Sequence, residues 1–347
     1  DFNDANTNIL HIGSSPLGLP DRDYYFEEKK QPIVEKYKQF MSDYLQLFEL
    51  NFNTEEIYNL EKNMAQFAYT SVQRRDPLNM NNPYSIERLD ELMPELNTRN
   101  FLSKLNVEPQ KINLINPTLL KKYSEFWTQL PLENWKQYYT WLYLRKLGNY
   151  INLQTETMLF NFYSKELSGT ECMKPLWKRS LETTQDMLGM VLGKMYVQKY
   201  FSEEAKNKVI EMIKFLKEEL RLRLQNNDWM EEETKSKALE KLEKMTFKIG
   251  YPDKWRNFET VNVTPEYSYL QNILNIMKFE YNFDINQLYK PVDRSLWFMN
   301  PQDINAYYSP SYNEIVFPAG ILQGGFFSLD YDMAINFGGI GVVIGHE

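Results

Sequence analysis

The last two residues of the sequence, His346 and Glu347, are residue types that can carry out metal-assisted chemistry. They form the first half of the pattern His-Glu-x-x-His, in which one helical turn separates two histidines so that both imidazoles hold one zinc ion. The glutamate of that pattern lies near the metal-bound water and acts as its general base. The same pair also occurs by chance, as a helix end that binds no metal.

The segment before this pair indicates how it would be held. Gly338–Gly341 is a glycine-rich stretch that favours a turn, and Val342–Gly345 continues it as an apolar run. An apolar run directly before His346 would bury the start of a helix in the core and make the pair rigid. The second histidine of the pattern would fall beyond Glu347, at a position that the sequence does not contain.

Other kinds of chemistry have little support in the sequence. Histidine occurs only twice, as His11 and His346, and no Gly-x-Ser-x-Gly elbow of a serine hydrolase is present. The glycines at 338–341 lack the following lysine of a phosphate-binding loop. The net charge of −8, from 39 basic and 47 acidic residues, does not favour a nucleic-acid partner, which would require a basic stripe.

The composition sets further bounds. A chain of 347 residues exceeds the usual size of one core, so two domains are expected. Cys172 is the only cysteine, which excludes an intrachain disulfide and suggests a structural or incidental thiol. No apolar stretch approaches the roughly 20 residues that cross a bilayer. Because the sequence begins with Asp1 rather than Met, we expect a processed product or a fragment.

Periodicity predicts mainly helices before residue 255 and a hairpin after it. The clearest predicted helices span 53–72, with a start signal at Asn53, and 202–226, with a start signal at Ser202. A third follows Trp229, with an apolar face of Ala238, Leu242, Met245 and Ile249 and an end at Gly250–Asp253. Residues 305–308 and 314–317 are predicted to be the two strands of the hairpin.

The hairpin and the final segment carry a resemblance to a known family. Residues 305–323, with the sequence NAYYSPSYNEIVFPAGILQ, are similar to the substrate-binding segment of the neprilysin and endothelin-converting-enzyme family of zinc peptidases. In that family a Gly-Gly-Ile-Gly segment and the zinc motif follow, as in residues 338–347. Shorter similar motifs lie upstream, at 18–25, 74–77, 229–235 and 249–253. Each is short, and their shared order along the whole chain carries the resemblance.

The resemblance implies a role for each residue of the final pair. His346 would be the first ligand of one zinc ion, the cofactor of the intact protein. Glu347 would be the general base that activates the zinc-bound water for attack on the scissile carbonyl. The other ligands of the family lie beyond Glu347, so the chain is expected to be an internal fragment and inactive alone.

The resemblance also implies how a peptide would bind. Asn305 and Ala306 would hydrogen-bond the substrate backbone, with the peptide added as a strand along the sheet edge. The hydrophobic S1′ pocket would be built from Ile321, Phe326, Val342 and Val343, which implies cleavage on the amino side of a large apolar residue. Without the resemblance, Asn305 is an ordinary hairpin residue and these four positions are ordinary core.

The sequence also departs from the family pattern. Gly324-Gly325 stands where the family often has Pro-Pro, which would make the wall of the S1′ pocket less rigid. Val342 stands where Met can occur, so the pocket would differ slightly in size. The disulfides of animal members cannot form with Cys172 alone, which favours a bacterial member. Its compartment stays open between the periplasm or cell surface and the cytoplasm.

Together these features predict a mainly α fold. A large helical domain at residues 1–260 would cover the active-site cavity, and residues 261–347 would begin an α+β, thermolysin-like (zincin) catalytic domain. The predicted function is a zinc-dependent endopeptidase or oligopeptidase. Its expected partners are peptide substrates and the remaining N- and C-terminal parts of the same protein, with no nucleic acid and no membrane segment in this chain. The alternative is a non-catalytic peptide-binding or structural fragment, or an inactive relative.

Overall fold

The computed structural model describes residues 1–13, 17–108 and 110–347. Helices predominate, as the sequence predicts. The α-helices are α1 Gln31–Gln46, α2 Thr54–Ala65, α3 Pro77–Met80, α4 Ile86–Leu92, α5 Thr98–Lys104, α6 Pro117–Gln129, α7 Leu132–Leu147, α8 Leu153–Leu159, α9 Leu176–Tyr200, α10 Glu203–Gln225, α11 Glu232–Glu243, α12 Tyr269–Gln287, α13 Met333–Gly338 and α14 Ile340–His346. The strands are β1 Leu10–Ile12, β2 Pro83–Tyr84, β3 Ile112–Leu114, β4 Thr246–Gly250, β5 Tyr307–Ser309 and β6 Glu314–Pro318.

The described chain forms two compact units. The first, here called the helical unit, contains Asp1–Pro175 and Asn262–Pro291, and the second, the sheet unit, contains Leu176–Val261 and Val292–Glu347. Each unit is therefore built from two separate stretches of sequence. The division at residue 260 that the sequence predicts, into a covering lobe and a catalytic domain, stays a prediction.

The helical unit is built around aromatic side chains. Helix α8 continues as a π-helix at Phe160–Glu166, and a small sheet in the order β1-β3-β2 lies in the same unit, with β1 parallel and β2 antiparallel to β3. The largest side chains that are fully buried in this unit are Tyr37, Tyr44, Trp135, Tyr138 and Trp141. This core agrees with the high aromatic content of the sequence.

The sheet unit has a three-stranded sheet in the order β4-β6-β5. The central strand β6 pairs in parallel with β4 and antiparallel with β5. The β5–β6 pair is the predicted hairpin, which the structure confirms. All five residues of β6 are buried, and Ile315 and Phe317 lie in one core with residues of α9, α10 and α14.

The helix after Trp229 is shorter than predicted, and part of its predicted face is wrong. Helix α11 ends at Glu243, so Ala238 and Leu242 lie on it, but Met245 follows its end and Ile249 belongs to strand β4. Gly250 ends this strand rather than the helix. It has a φ of +78°, which favours glycine because that backbone region strains other residues.

Two predicted helix starts are confirmed by their caps. The Asn53 side chain accepts a hydrogen bond from the backbone N–H of Glu56 at 3.3 Å, and the Ser202 hydroxyl accepts one from Ala205 at 3.1 Å. Helix α10 has nearly the predicted length, whereas α2 ends at Ala65, before the predicted end at Val72. Among the residues that the structure describes, no helix is both long and apolar enough to cross a membrane.

Candidate active site

Helix α14 carries the His346-Glu347 pair at its end. Ile340, Gly341 and Ile344 are buried, whereas Val342 and His346 are exposed. This one-sided burial follows from the helical spacing of the apolar run, and it confirms that the run packs the helix against the core. Glu347 is the C-terminal cap, and its backbone N–H donates to the carbonyl of Val343 at 3.1 Å. The structure therefore presents the imidazole of His346 outward from a fixed helix.

The start of α14 is fixed by the loop that contains Phe326. The backbone N–H of Ile340 donates to the Phe326 carbonyl at 2.7 Å, and a Cβ on Gly339 would lie 2.4 Å from the same oxygen. Only glycine fits this close approach of the two backbones. The buried amide of Asn336 adds two hydrogen bonds to the backbone of Ser328, at 3.1 and 2.9 Å. These contacts place Phe326 beside the start of the helix.

The predicted peptide-binding residues lie at the start of the hairpin. Strand β5 is an edge strand of its sheet, because β6 lies on one side of it in the order β4-β6-β5. Asn305 is exposed, and its side-chain oxygen accepts from the backbone N–H of Ala306 at 2.9 Å. Ala306 is buried in the core of the unit. An exposed amide next to an edge strand is an arrangement that can receive an added peptide strand.

The four predicted S1′ residues divide into two pairs. Ile321 is 6% exposed, and Val343 is half-buried against the same core. Phe326 is 42% exposed and Val342 is 64% exposed. Ile321 and Val343 thus behave as the ordinary core residues that the sequence offers as the alternative. Phe326 and Val342 instead present apolar surface that a ligand or another part of the protein can cover. The pocket role of all four stays a prediction.

A groove in the sheet unit is lined by Gly324 of the predicted S1′ wall and by Leu322 and Phe327, which are chain neighbours of Ile321 and Phe326. Its volume is about 580 Å³, and it is lined by residues of 198–205 and 322–331. None of the predicted substrate residues lines it.

The metal-binding capacity of the described residues is limited. Within 1–13, 17–108 and 110–347 no group of three or more His, Cys, Asp or Glu side chains could hold a metal ion. His11, the other histidine, belongs to β1 in the helical unit, where its Nδ1 lies 3.2 Å from the side-chain nitrogen of Asn113. Zinc in a catalytic site needs three protein ligands. His346 can be one of them, and the set would have to be completed from outside these residues.

Sequence reasoning missed the polar contacts that hold the hairpin. Lys248 on β4 forms an ion pair with the buried Glu314 of β6 at 2.7 Å and also donates to the Leu296 carbonyl at 2.8 Å. The side chain of Gln302 donates to the carbonyl of Gly189 on α9 at 3.1 Å. No sequence signal identifies these pairs, because their partners are distant along the chain and have no fixed spacing.

Two family models match the sequence. Both carry the description peptidase family M13, one for its N-terminal part over residues 1–252 and one over residues 305–347. The curated relatives include endothelin-converting enzyme-like 1 of Rattus norvegicus, 30% identical over 363 residues, and endothelin-converting enzyme 1 of Homo sapiens, 30% identical over 370 residues. Each match covers 100% of this chain and 47% of the relative.

Solved structures show the same fold. The zinc metalloprotease Zmp1 of Mycobacterium tuberculosis, in complex with an inhibitor, matches with a TM-score of 0.91 and 31% identity over 99% of this chain and 53% of that one. PepO from Lactobacillus rhamnosis also matches with a TM-score of 0.91, at 27% identity over 99% of this chain and 56% of that one. The chain thus spans about half the length of the proteins it matches, and the predicted fold class is confirmed.

Proposed function

We propose that this chain, which belongs to peptidase family M13, is part of a zinc-dependent endopeptidase or oligopeptidase that cleaves peptides on the amino side of large hydrophobic residues. The observation that carries the proposal is the exposed His346, followed by Glu347, at the end of a helix whose other face is buried. The exposed Asn305 and the edge strand β5 belong to the same compact unit.

His346 would supply one ligand of a single zinc ion per intact protein. Its imidazole is exposed, and α14 is anchored through Ile340 and Ile344, so the ligand is held on a rigid element. When bound, zinc lowers the pKa of a water molecule and polarises the carbonyl to be attacked. The remaining ligands would come from parts of the protein outside this chain.

Glu347 would act as the general base. It directly follows His346, and its backbone N–H donates to the Val343 carbonyl of α14, so the backbone of Glu347 is fixed next to that of the ligand. A carboxylate in this place can take the proton of the attacking water and then deliver it to the leaving amine. The same proton thus passes from the attacking water to Glu347 and then to the leaving amine.

The peptide would bind as a strand added to β5. Its main chain would pair with the side of β5 that faces away from β6 in the described sheet, and the Asn305 amide would form a hydrogen bond with its backbone. This gives affinity without requiring a particular side chain. Selectivity would come from the exposed apolar surface of Phe326 and Val342, while Ile321 and Val343 lie in the core of the same unit. A large apolar side chain after the cleaved bond would cover this surface.

The test is the substitution Glu347→Gln in the intact protein that carries this chain. We expect kcat for an internally quenched peptide with Leu or Phe after the scissile bond to fall by about 10²- to 10⁴-fold, the usual contribution of a general base. Zinc content, measured by elemental analysis, should stay at one ion per protein. The exposed Glu243 on α11 provides the matched control, and Glu243→Gln should leave kcat unchanged.

Two results would contradict the proposal as a whole, and a third would contradict its S1′ assignment. Full hydrolysis by the Glu347→Gln protein would exclude the glutamate as base. An intact protein with neither zinc nor hydrolysis would favour the alternative, a non-catalytic peptide-binding or structural protein. A wild-type preference for Asp or Gly over Leu after the cleaved bond would overturn the S1′ assignment alone.

A further inference from the structure

Helix α9 is interrupted at Leu188, whose φ of −132° and ψ of 31° lie outside the helical region. Such a residue disturbs the hydrogen-bond ladder of the helix, so nearby carbonyl groups need other partners. The carbonyl of Gly189, the next residue, accepts a hydrogen bond from the side chain of Gln302 at 3.1 Å. The interruption thus has a partner in the chain segment that leads to the hairpin.

That segment forms a closed turn from Asn300 to Asp303. The backbone N–H of Asp303 donates to the Asn300 carbonyl at 3.0 Å, and the backbone N–H of Asn300 donates to the Asp303 carboxylate at 2.7 Å. The other oxygen of that carboxylate accepts from the Gln185 side chain, on the turn of α9 before Leu188, at 3.1 Å. The turn is therefore closed on itself and tied to α9 on both sides of the interruption.

Close packing fixes the turn from two directions. A Cβ on Gly189 would lie 2.3 Å from the Asn300 side chain, so this side chain fills the space that glycine leaves. On the other side, the backbone N–H of Gly320, just after β6, donates to the Pro301 carbonyl at 2.8 Å. A Cβ on Gly320 would lie 2.3 Å from the Gln302 carbonyl oxygen. The turn thus packs closely against both α9 and the segment after β6.

We propose that the Asn300–Asp303 turn, held on α9 by Gln185 and Gln302, positions Asn305 and the edge strand β5 for the bound peptide. The inference rests on the proposed function and deepens it, because it names residues that act on the substrate only through Asn305. Asn305 is two residues after Asp303, a span of at most about 7 Å of extended chain. A displacement of the turn must therefore move Asn305 or be absorbed by Ile304.

The physical reason is the precision that strand addition requires. A peptide strand gains its affinity from several main-chain hydrogen bonds that must form together, so the edge strand has to be held close to one position. Strand β5 has only three residues and, in the described sheet, pairs through β6 alone, which gives it little rigidity of its own. The turn supplies the missing constraint at the entry of the strand.

The test compares Gly189→Ala with the double variant Gly189→Ala/Asn300→Ala in the intact protein. The added methyl group would lie within 2.4 Å of three Asn300 side-chain atoms, including its Cγ, so it should displace this side chain and the turn that carries it. We expect KM for the peptide to rise about ten-fold, the loss expected from one weakened substrate hydrogen bond, with kcat nearly unchanged. Alanine favours a helix more than glycine does, so a weaker helix would not explain this loss. Truncation of Asn300 restores the space and should bring KM back toward the wild-type value.

The matched control is Lys194→Ala, at an exposed position of the same helix, which should leave KM unchanged. A second pair, Gln185→Leu and Gln302→Leu, removes the two side-chain bonds without adding volume, and each should also raise KM. An unchanged KM in Gly189→Ala, or a fall in kcat with constant KM, would overturn the proposal. So would a double variant as impaired as the single one.

Hydrogen exchange at residues 304–309 separates this inference from the proposed function. If the intact wild-type protein hydrolyses no peptide, the proposed function fails, but exchange still reports on the turn. Faster exchange at these amides in Gly189→Ala, reversed in the double variant, would support the positioning of β5 by the turn. Equal exchange in the wild-type and Gly189→Ala proteins would overturn it.

Discussion

The helical unit and the sheet unit each bury a glutamate, and they stabilise its carboxylate in different ways. Glu61 of the helical unit is 0% exposed and accepts hydrogen bonds from the hydroxyls of Tyr25 at 2.9 Å and Tyr37 at 3.0 Å. Glu314 of the sheet unit is 4% exposed and has a direct cation, Lys248, at 2.7 Å. One carboxylate is thus held mainly by neutral donors and the other by an opposite charge.

The neutral surroundings of Glu61 have an electrostatic consequence. Burial raises the pKa of Glu61 to about 7, and the charge of Arg145 and the hydrogen bonds from Tyr25 and Tyr37 offset this only in part. Burial alone would lower the pKa of Arg145, but Tyr163, Tyr37 and Glu61 together raise it above its ordinary value. Arg145 therefore stays charged, while Glu61 changes its charge near neutral pH.

The same carboxylate anchors the segment at residues 18–25. The Tyr25 hydroxyl accepts from the backbone N–H groups of Gly18 and Leu19, both at 3.1 Å, while it donates to Glu61. A Cβ on Gly18 would lie 1.6 Å from the Tyr37 hydroxyl, so the segment can approach only as glycine. The motif that carries part of the family resemblance is thus structural in this unit.

The comparison teaches that one family motif can be held by a buried carboxyl group with a raised pKa and another by a buried ion pair. In the sheet unit, Lys248 links β4 to β6 and, through the Leu296 carbonyl, to the chain that approaches the Asn300–Asp303 turn. We expect the sheet unit to be sensitive to loss of a partner and the helical unit to be sensitive to pH.

The largest expected effect is that of Lys248→Met. It keeps most of the side-chain volume but leaves Glu314 as an uncompensated buried charge, which costs about 3–5 kcal/mol of unfolding free energy. The loss should appear in denaturant unfolding of the intact protein and as faster hydrogen exchange in β4 and β6. Protection of the amides in the helical unit against exchange should not change, because different regions of a protein open with their own free energies.

The double variant Lys248→Met/Glu314→Gln is the control. It removes both charges, while the introduced amide keeps an oxygen for the hydroxyl of Thr246, which lies 3.3 Å from the Glu314 carboxylate. Most of the lost stability should return, because the cost of a broken buried pair comes from the unpaired charge. A single variant that loses less than about 1 kcal/mol would show that this pair behaves like an exposed one.

The second prediction concerns pH and Glu61. Because its pKa is 4.5 in the unfolded chain and about 7 in the folded one, its contribution to stability is fully present below pH 4.5 and is lost as pH rises to about 7. The loss amounts to about 3 kcal/mol over this range. Glu61→Gln should remove this pH dependence, so that wild-type and variant unfolding free energies converge in acid and separate at neutral pH.

Unfolding of the intact protein at pH 4.5, 6 and 8, with hydrogen exchange in α1 and α2, measures this difference. Glu91→Gln, at an exposed position of α4, is the matched control and should follow the wild-type profile. Parallel pH profiles for the wild-type and Glu61→Gln proteins would mean that Glu61 stays charged in the fold, with Arg145 as a fully effective counter-charge.

The sequence predicts well what is encoded locally. The caps at Asn53 and Ser202 and the hairpin around the turn at 310–313 follow from residue types at fixed spacing, and the structure confirms them. The orientation of α14, with Ile344 buried and His346 exposed, also follows from helical periodicity. For the site, these signals predict which helix and which strands carry the residues.

What the sequence misses depends on partners that are distant along the chain. The helix predicted through Ile249 is replaced at its end by strand β4, because β4 pairs in parallel with β6. The partner is distant along the chain, since Glu314 lies 68 residues after Thr246. Over so short a run, apolar residues four positions apart fit either a helix or a strand. The interruption at Leu188 has no proline to mark it and is visible only with its partner Gln302. No residue pattern in the sequence marks Glu61 or Glu314 as buried either.

The smallest expected effects come from the two caps, one in each unit, which provide a matched local comparison. Asn53→Ala and Ser202→Ala should each cost about 1 kcal/mol, because a helix N–H group loses its acceptor and alanine cannot replace it. Asn53→Gly and Ser202→Gly should cost only a few tenths of that, since an uncovered N–H group can then be reached by water. Hydrogen exchange at the first turns of α2 and α10 would measure both pairs in one protein.

If Ser202→Ala also accelerates exchange at β5, the start of α10 contributes to the rigidity of the candidate site. If exchange changes only within α10, the start of this helix does not contribute to the rigidity of β5, which then depends on the Asn300–Asp303 turn and on Lys248. The two units would then differ in how they hold a buried carboxylate, while their helix starts are stabilised in the same way.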